Sequence, residues 1–257
     1  MLSKIEVINF FSDNYKCRSC FHNPIIKLNH QQFNPANVEG PQPRWIGKNY
    51  FESDKKICFM LINPGSGNNT PNKEWEPLKN LYKEKKEIER LNIWDQIMKV
   101  NKSGMPKWGK WKSLYLDQFG FDSEEELNKI CFTNMMLCSA WVRKNNKFVN
   151  AYNLKSLDNC FNNCSNNLLK ILSPKHIIFS GVQTINSALN HNQWISLSKL
   201  RSFSGPNSRE INPSKIKKKI RDCLDPDVKF FYIGHYGMTT THNDYLDADI
   251  IKKQIYS

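Results

Sequence analysis

Four short, largely apolar runs of strand length stand out along this chain. They are residues 57–62, 130–137, 176–180 and 230–233. The first, ICFMLI, contains no polar residue at all. Runs without regular polar alternation are typical of strands that are buried on both faces of a parallel sheet. The pattern therefore predicts four buried strands.

Helical periodicity fills much of the chain between and around these runs. It predicts helices over about residues 1–16, 74–100, 153–172 and 243–254. Strands that alternate with helices indicate an α/β fold, here a three-layer α/β/α sandwich with a mostly parallel, four-stranded central sheet. We expect residues 1–257 to form one domain, with residues 1–55 as an N-terminal extension packed on the core.

Polar side chains follow three of the predicted strands in turns. Asn63 ends the first run, Asn134 lies near the end of the second, and His235 follows the fourth. In a parallel sheet these strand ends share one edge, which is where ligands usually bind in open α/β folds. The three side chains are candidates for one pocket, although each also suits an ordinary turn. The NPGSGNN turn after the first strand lacks the lysine and Ser/Thr of a phosphate-binding P-loop.

The charge of the chain favours a polyanionic partner. Its net charge is +13, from 37 Lys and Arg against 24 Asp and Glu over 257 residues. This excess favours nucleic acid ahead of a membrane surface. Residues 101–121 also interleave lysines, among them Lys107 and Lys110, with aromatic side chains, a pattern that suits a nucleic-acid backbone and stacked bases. No apolar run reaches membrane-spanning length and no signal-peptide pattern is visible, so we expect a cytoplasmic protein.

The eight cysteines are more suited to metal chemistry than to disulfides. Cys58 and Cys131 lie inside predicted core strands, and Cys223 lies beside a basic helix without an evident partner. A Cys-x-x-Cys pair can place two thiolates on one metal ion or cluster. The remaining candidates for metal ligands are Cys17, Cys20, Cys138, Cys160 and Cys164.

Four segments together resemble the uracil-DNA glycosylase superfamily. INPG at 62–65 resembles the first motif of its mismatch-specific and single-strand-selective branches. FTNMMLC at 132–138 and PKHIIFSG at 174–181 resemble the second and third strands, the former as it occurs in the iron–sulfur branch. FFYIGHYGM at 230–238 lies where that superfamily carries its last motif. The resemblance spans most of the chain, with the segments in the same order.

The resemblance implies a role for each residue of the predicted pocket. Asn63 would position the attacking water, His235 would be catalytic, and Asn134 would read the edge of a flipped base. Further contacts to the base would come from Ile62, Pro64 and Gly65, and contacts to DNA from Ser66, Lys107, Lys110, Tyr236 and Met238.

The resemblance also implies a four-iron cluster. Its cysteine ligands would fall on Cys17, Cys20, Cys138 and Cys160. Structural zinc is the alternative with the same ligands. Cys164 competes for the fourth position, and Cys160 is preferred because its distance before Pro174 fits the family better.

The function implied is that of a monofunctional DNA glycosylase that hydrolyses the N-glycosidic bond of uracil or another altered pyrimidine. We expect it to act as a monomer on single- or double-stranded DNA. Two departures keep alternatives open: the first motif has Asn63 where the fastest uracil enzymes have an acidic residue, and Tyr236-Gly237 replaces Pro-Ser. One alternative is an enzyme for a bulky modified cytosine in foreign DNA. The other is a DNA-binding protein of the same fold without activity.

Overall fold

A computed structural model describes the greater part of the chain: residues 2–14, 17, 38–41, 45–62, 117–121, 123–144, 147–150, 154–190, 193–235 and 242–257. The chain divides into two compact units, each built from three segments. The first unit comprises Met1–Arg44, Ile62–Gly104 and Asn134–Leu172. The second comprises Trp45–Leu61, Met105–Thr133 and Ser173–Ser257. The prediction of one domain stays a prediction.

The second unit is organised by a six-stranded mixed sheet with the order β2-β4-β3-β7-β9-β8. Strands β3, β7 and β9 run parallel to one another, whereas β2 and β8 pair antiparallel with β4 and β9. The strands span Trp45–Ile46 (β2), Ile57–Leu61 (β3), Ile130–Asn134 (β4), His176–Ser180 (β7), Glu210–Ile211 (β8) and Lys229–Ile233 (β9). The α/β class is confirmed, and the sheet has two short antiparallel strands that the sequence did not predict.

The apolar runs form strands because the sheet buries them. Every residue of β3, β4 and β7 is buried, as the absence of polar alternation predicted. The run at residues 130–137 is shorter as a strand than predicted, because β4 ends at Asn134 and the chain then bends. The short strand β2 is held by its Trp45 side chain, whose Nε1 donates a hydrogen bond to the Leu127 carbonyl at 2.9 Å.

Helices cover and connect these strands. Helix α5 packs against β7, and helix α8 packs against β9. Ser123 and Ser196 cap helices α2 and α6 by accepting hydrogen bonds from Glu126 N and Lys199 N. The helices of this unit are Glu124–Leu127 (α2), Val182–Ala188 (α5), Leu197–Ser204 (α6), Lys218–Arg221 (α7) and His242–Tyr256 (α8), with a 3₁₀ turn at Pro213–Lys215.

The first unit contains a smaller, three-stranded antiparallel sheet and a group of helices. The sheet has the order β1-β5-β6, with strands Val38–Pro41 (β1), Cys138–Lys144 (β5) and Lys147–Asn150 (β6). Helix α1, Leu2–Asn14, packs against the last helix of the unit, α4. The helix predicted over residues 153–172 is present as α3 (Leu154–Cys160), a π-helical segment (Phe161–Ser165) and α4 (Asn166–Leu172).

The helix predicted over residues 74–100 lies outside the described residues. Within the part that the structure describes, no helix combines the length and the apolar character needed to cross a membrane.

Candidate functional site

His235 follows β9, and hydrogen bonds between neighbouring strand ends hold the turn that carries it. Ser180 at the end of β7 donates its hydroxyl to the Gly234 carbonyl at 3.1 Å, and the Gly181 N–H donates to the Ile233 carbonyl at 2.9 Å. The sequence had predicted that His235 follows a buried strand, and the structure confirms this. The two hydrogen bonds fix the backbone that carries the His235 imidazole.

Gly181 gives the His235 side chain its space. A Cβ at position 181 would come within 3.1 Å of His235 Cβ and 3.5 Å of His235 Cδ2. The residue also has a φ of +93°, which side chains other than hydrogen rarely tolerate. Both observations require glycine here. The strand end at β7 is therefore shaped around the histidine.

The environment of His235 favours its neutral form. Burial disfavours the imidazolium cation and lowers the pKa of His235 from the ordinary value of 6.5. At neutral pH the ring is then a neutral imidazole, with one N–H donor and one acceptor nitrogen. The N–H group of such a neutral ring can donate a hydrogen bond to an oxygen atom on which negative charge develops.

Asn134, the last residue of β4, has a side chain that is only 1% exposed. Neither its Oδ1 nor its Nδ2 has a hydrogen-bond partner among the residues that the structure describes. Leaving a buried amide without partners costs free energy, so such a group calls for an explanation. An amide offers an acceptor and a donor side by side, which is what the edge of a nucleobase or another planar amide requires.

Asn128, the other buried asparagine among the described residues, has hydrogen-bond partners for its amide. Asn128 is 4% exposed, and its Nδ2 donates to the Glu124 carbonyl at 2.8 Å while its Oδ1 accepts from Lys48 N at 3.3 Å. Asn128 closes a turn by these bonds. The Asn134 amide closes no turn by hydrogen bonds to the described residues. It is therefore the better candidate for a ligand contact.

Ile62 joins the turn that follows Asn134. Its carbonyl accepts a hydrogen bond from Met136 N at 3.0 Å, so the chain leaving β3 and the chain leaving β4 are linked directly. Of the predicted pocket residues, the structure thus brings Ile62 next to the Asn134 turn. Other predicted site residues lie outside the described residues, namely Asn63, Pro64, Gly65, Ser66, Lys107, Lys110, Tyr236 and Met238.

A group of thiols occupies the first unit. Cys164 Sγ lies 3.8 Å from Cys17 Sγ, and its thiol also interacts with Cys160. Cys160 Sγ in turn accepts a hydrogen bond from Leu137 N at 3.3 Å, beside the predicted ligand Cys138, which is buried. The thiol of the competing ligand Cys164 is therefore in contact with the thiols of two predicted ligands, Cys17 and Cys160. The fourth predicted ligand, Cys20, lies outside the described residues.

The π-helical segment explains how Cys164 joins this group. A π turn is wider than an α turn, and such turns occur often at functional positions. It begins directly after Cys160 and contains Cys164. Cys160 and Cys164 both belong to this thiol group, so the preference for Cys160 as the fourth ligand stays a prediction.

The Cys164 thiol is held in its protonated form when no metal is bound. Hydrogen bonding to Cys160, then to Cys17, and then burial raise the pKa of Cys164 far above its usual value. A bound metal would instead lower the pKa of the thiol, because a metal ion stabilises the thiolate. Within the described ranges, no three His, Cys, Asp or Glu side chains are arranged to hold a metal ion. Cysteine sulfurs are the type of ligand that an iron–sulfur cluster or zinc requires. The described cysteines alone do not provide a complete coordination geometry.

A cavity of about 580 Å³ lies at the opposite, amino-terminal ends of the strands in the second unit. Ile57 and Ile130, the first residues of β3 and β4, contribute to its lining. Its described lining includes none of the predicted site residues. The charged and aromatic lining residues are Glu52, Asp54, Lys55, Phe121, Glu126, Lys129 and Tyr256. Sequence reasoning missed this cavity, because its residues come from turns and a chain terminus without a motif.

Known families and characterised proteins provide no identification. No protein-family model matches the chain, and no curated protein matches it. The resemblance of its four segments to a known superfamily therefore rests on those segments alone.

Proposed function

We propose that this protein is a monofunctional DNA glycosylase that flips one altered pyrimidine, such as uracil, out of single- or double-stranded DNA and hydrolyses its N-glycosidic bond. The observation that carries the proposal is the buried Asn134 amide, whose donor and acceptor have no partner in the described part of the protein. The proposal includes a monomeric, cytoplasmic protein. DNA contacts are assigned to Ser66, Lys107, Lys110, Tyr236 and Met238.

The proposed fold is the three-layer α/β/α sandwich in which four largely parallel strands form the centre. The parallel pairing of β3 with β7 and of β7 with β9 supports it. So does the position of Asn134 at the end of a strand and of His235 after another, where open α/β sheets bind their ligands. Strands β2 and β8 then extend this centre at its two edges.

Asn134 is the proposed reader of the flipped base. A pyrimidine presents a donor and an acceptor on neighbouring positions of its Watson–Crick edge, and one side-chain amide can pair with both. The energetic argument is that base binding supplies the hydrogen bonds that the amide lacks within the described part of the protein. Ile62, Pro64 and Gly65 are proposed to line the same pocket.

His235 is the proposed electrostatic catalyst. As the C1′–N1 bond breaks, its electron pair moves onto the base and negative charge grows on the adjacent carbonyl oxygen. The neutral imidazole donates a hydrogen bond to that oxygen and stabilises the departing anion. The lowered pKa of His235 and its fixed backbone support this role, because a preorganised donor needs no rearrangement during the reaction.

Asn63 is the proposed positioning residue for water. The water oxygen forms the new bond to C1′, and the proton that the water loses ends on the released base. An amide cannot remove that proton as a general base at neutral pH. It serves to hold the water while bond breaking runs ahead of attack.

Cys17, Cys20, Cys138 and Cys160 are the proposed ligands of a four-iron cluster, with zinc as the alternative, and Cys164 contacts two of them. When bound, such a cluster would tie α1 and the π-helical segment together and supply no chemistry to base excision. The N–H bond from Leu137 to Cys160 Sγ supports a sulfur ligand there, since backbone donors commonly stabilise cluster sulfurs.

The decisive experiment is base excision on labelled oligonucleotides that carry uracil, hypoxanthine, mismatched thymine or modified cytosine, in single and double strands. Alkali then reveals abasic sites. We expect excision by the wild type and a loss of about ten- to a hundredfold in Asn134→Ala, the value of two hydrogen bonds. Asn128→Ala is the matched control, because its amide is buried but serves the fold.

Four outcomes would contradict parts of this proposal. Equal excision by the wild type and Asn134→Ala would remove the assigned role of the amide, and full excision by Asn63→Ala would remove that of the water-positioning residue. Excision confined to modified cytosine would identify an enzyme that acts on foreign DNA. DNA binding without any excision would identify a binding protein.

A further inference from the structure

Helix α6 and the residue stretch before it expose two large aromatic side chains. Trp194 is 62% exposed and Phe203 is 69% exposed. Lys199, one turn before Phe203, has its Nζ 5.8 Å from the centre of the Phe203 ring, within the range of a cation–π contact. An exposed ring beside a cation is more than scattered apolar surface, because Phe203 pairs a flat face with the positive charge of Lys199. We call these three residues the α6 surface.

The carboxyl-terminal end of α6 lies near the carboxyl edge of the six-stranded sheet. Strand β8 follows α6 and runs antiparallel to β9, with Glu210 opposite Phe231 and Ile211 opposite Phe230. This register places Arg209, the residue before β8, opposite Tyr232 near the carboxyl end of β9. The end of α6 therefore lies on the edge where β9 leads into His235.

A buried ion-pair cluster fixes the orientation of α6. The Asp247 carboxylate is fully buried and accepts hydrogen bonds from Arg209 Nε at 2.6 Å and from Arg201 Nε at 2.7 Å. Arg209 Nη1 also donates to the carbonyl of Gly205, the residue that ends α6, at 2.8 Å. Arg201 thus points inward and anchors the helix, while Lys199 and Phe203 remain on its exposed face.

The charge of this region favours a polyanionic partner. Lys199 places a positive charge on the exposed face, and the buried cluster beneath it pairs two arginines with a single carboxylate, Asp247. The whole chain carries a net charge of +13. Aromatic faces beside cations on a positively charged edge are the combination that binds single-stranded nucleic acid, because every base has a face that can stack.

We infer that the α6 surface binds unpaired nucleotides that flank the nucleotide held at the catalytic edge. Phe203 and Trp194 stack on bases, and Lys199 contacts a phosphate. The inference rests on the proposed function, which it deepens by assigning a path for the strand outside the pocket. It also gives this edge a preference for single-stranded or locally opened DNA, since stacked, paired bases cannot offer their faces.

The test is the affinity of the full chain for a fluorescein-labelled oligothymidylate, measured by anisotropy. Phe203→Ala and Trp194→Ala should each weaken binding by about 5- to 150-fold, the range known for the loss of one stacked base. Lys199→Ala should reduce the magnitude of the slope of log affinity against log salt by about one contact. Circular dichroism checks that these exposed substitutions leave the fold intact.

The matched control residues lie at the carboxyl-terminal end of α8. Tyr256 is 49% exposed and Lys253 has a side chain that is 76% exposed, yet both lie near the last turn of that helix. Tyr256→Ala and Lys253→Ala should leave the affinity for the oligothymidylate within twofold. Equal losses in the control variants would show a general charge or aromatic effect and would overturn the inference.

The outcomes separate this inference from the proposed function. Unchanged affinity in Phe203→Ala, with base excision still dependent on Asn134, overturns the α6 surface and leaves the glycosylase proposal standing. Reduced affinity without excision of any base supports the surface and contradicts the glycosylase. No affinity of the wild type for DNA overturns both. Self-association that Phe203→Ala abolishes, with DNA affinity intact, assigns the surface to a second copy of the chain and overturns the inference.

Discussion

Two buried polar side chains, Asp247 in one unit and Asn134 in the other, differ in how they are satisfied. Asp247 is 0% exposed, and its two oxygens accept from two arginines. Asn134 is 1% exposed, and its amide has no partner among the described residues. The charged group is fully compensated while the neutral one is not. Burial alone therefore does not distinguish a structural polar group from a functional one, whereas hydrogen-bond accounting does.

The difference follows from what each group would cost if left alone. An unpaired buried carboxylate costs several kcal/mol, which is more than most domains tolerate, so the fold must provide partners. An unpaired amide costs about 1–3 kcal/mol, which a domain can bear if binding later repays it. The Asp247 cluster stabilises the fold, and the Asn134 amide is available for a ligand.

The largest expected effect comes from breaking the compensated group. Asp247→Ala leaves the buried Arg209 guanidinium without its carboxylate, and we expect a loss of about 3–5 kcal/mol in the free energy of unfolding. Urea denaturation measures it. Asp249→Ala, on the same helix, removes an exposed pair with Lys253 and should cost less than about 1 kcal/mol. Equal costs for the two variants would refute the structural role of the Asp247 cluster.

A smaller effect should separate the two buried asparagines. Asn128→Ala removes bonds to Glu124 and Lys48 and should lower the free energy of unfolding by about 1–3 kcal/mol. Asn134→Ala removes an amide without partners and should change it by less than about 1 kcal/mol, or stabilise the protein. Denaturation midpoints of both variants decide this. A large loss in Asn134→Ala would show that its amide supports the fold, and the comparison would fail.

The smallest effect extends the comparison to the histidines. Burial lowers the pKa of His235 and of His176 below 6.5, so the unfolded chain binds more protons than the folded one as the pH falls. Stability should be independent of these groups above about pH 7 and should decline below pH 6.5, by at most about 1.4 kcal/mol per pH unit for each histidine.

Denaturation at pH 7.5 and 5.5 measures this decline, and His235→Gln and His176→Gln should each remove part of it. His176 serves as the structural counterpart, because its Nδ1 is already bonded to the Lys55 carbonyl at 2.7 Å. Stability that rises on acidification and depends on these residues would reverse the assigned pKa directions.

Strand positions were the most predictable part of the fold. The apolar runs at residues 57–61, 176–180 and 230–233 correspond to strands because burial on both faces leaves a clear mark on local composition. Strands β2 and β8 were missed because each has only two residues and exists through pairing with a longer neighbour. The π-helical segment that contains Cys164 was missed, because i to i+5 bonding leaves no pattern that periodicity can detect.

The sequence by itself determined the α/β class, the positions of four buried strands along the chain, and the presence of Asn134 and His235 at or just beyond strand ends. Those features depend on hydrophobic periodicity, which is a local property of the chain. Only the tertiary structure decided that the Asn134 amide has no partner among the described residues, that Asp247 is compensated by two arginines, and that Trp194 and Phe203 face solvent. Hydrogen-bond satisfaction and exposure depend on residues brought together from distant parts of the chain, such as Arg201 and Asp247, and no local pattern encodes such a meeting.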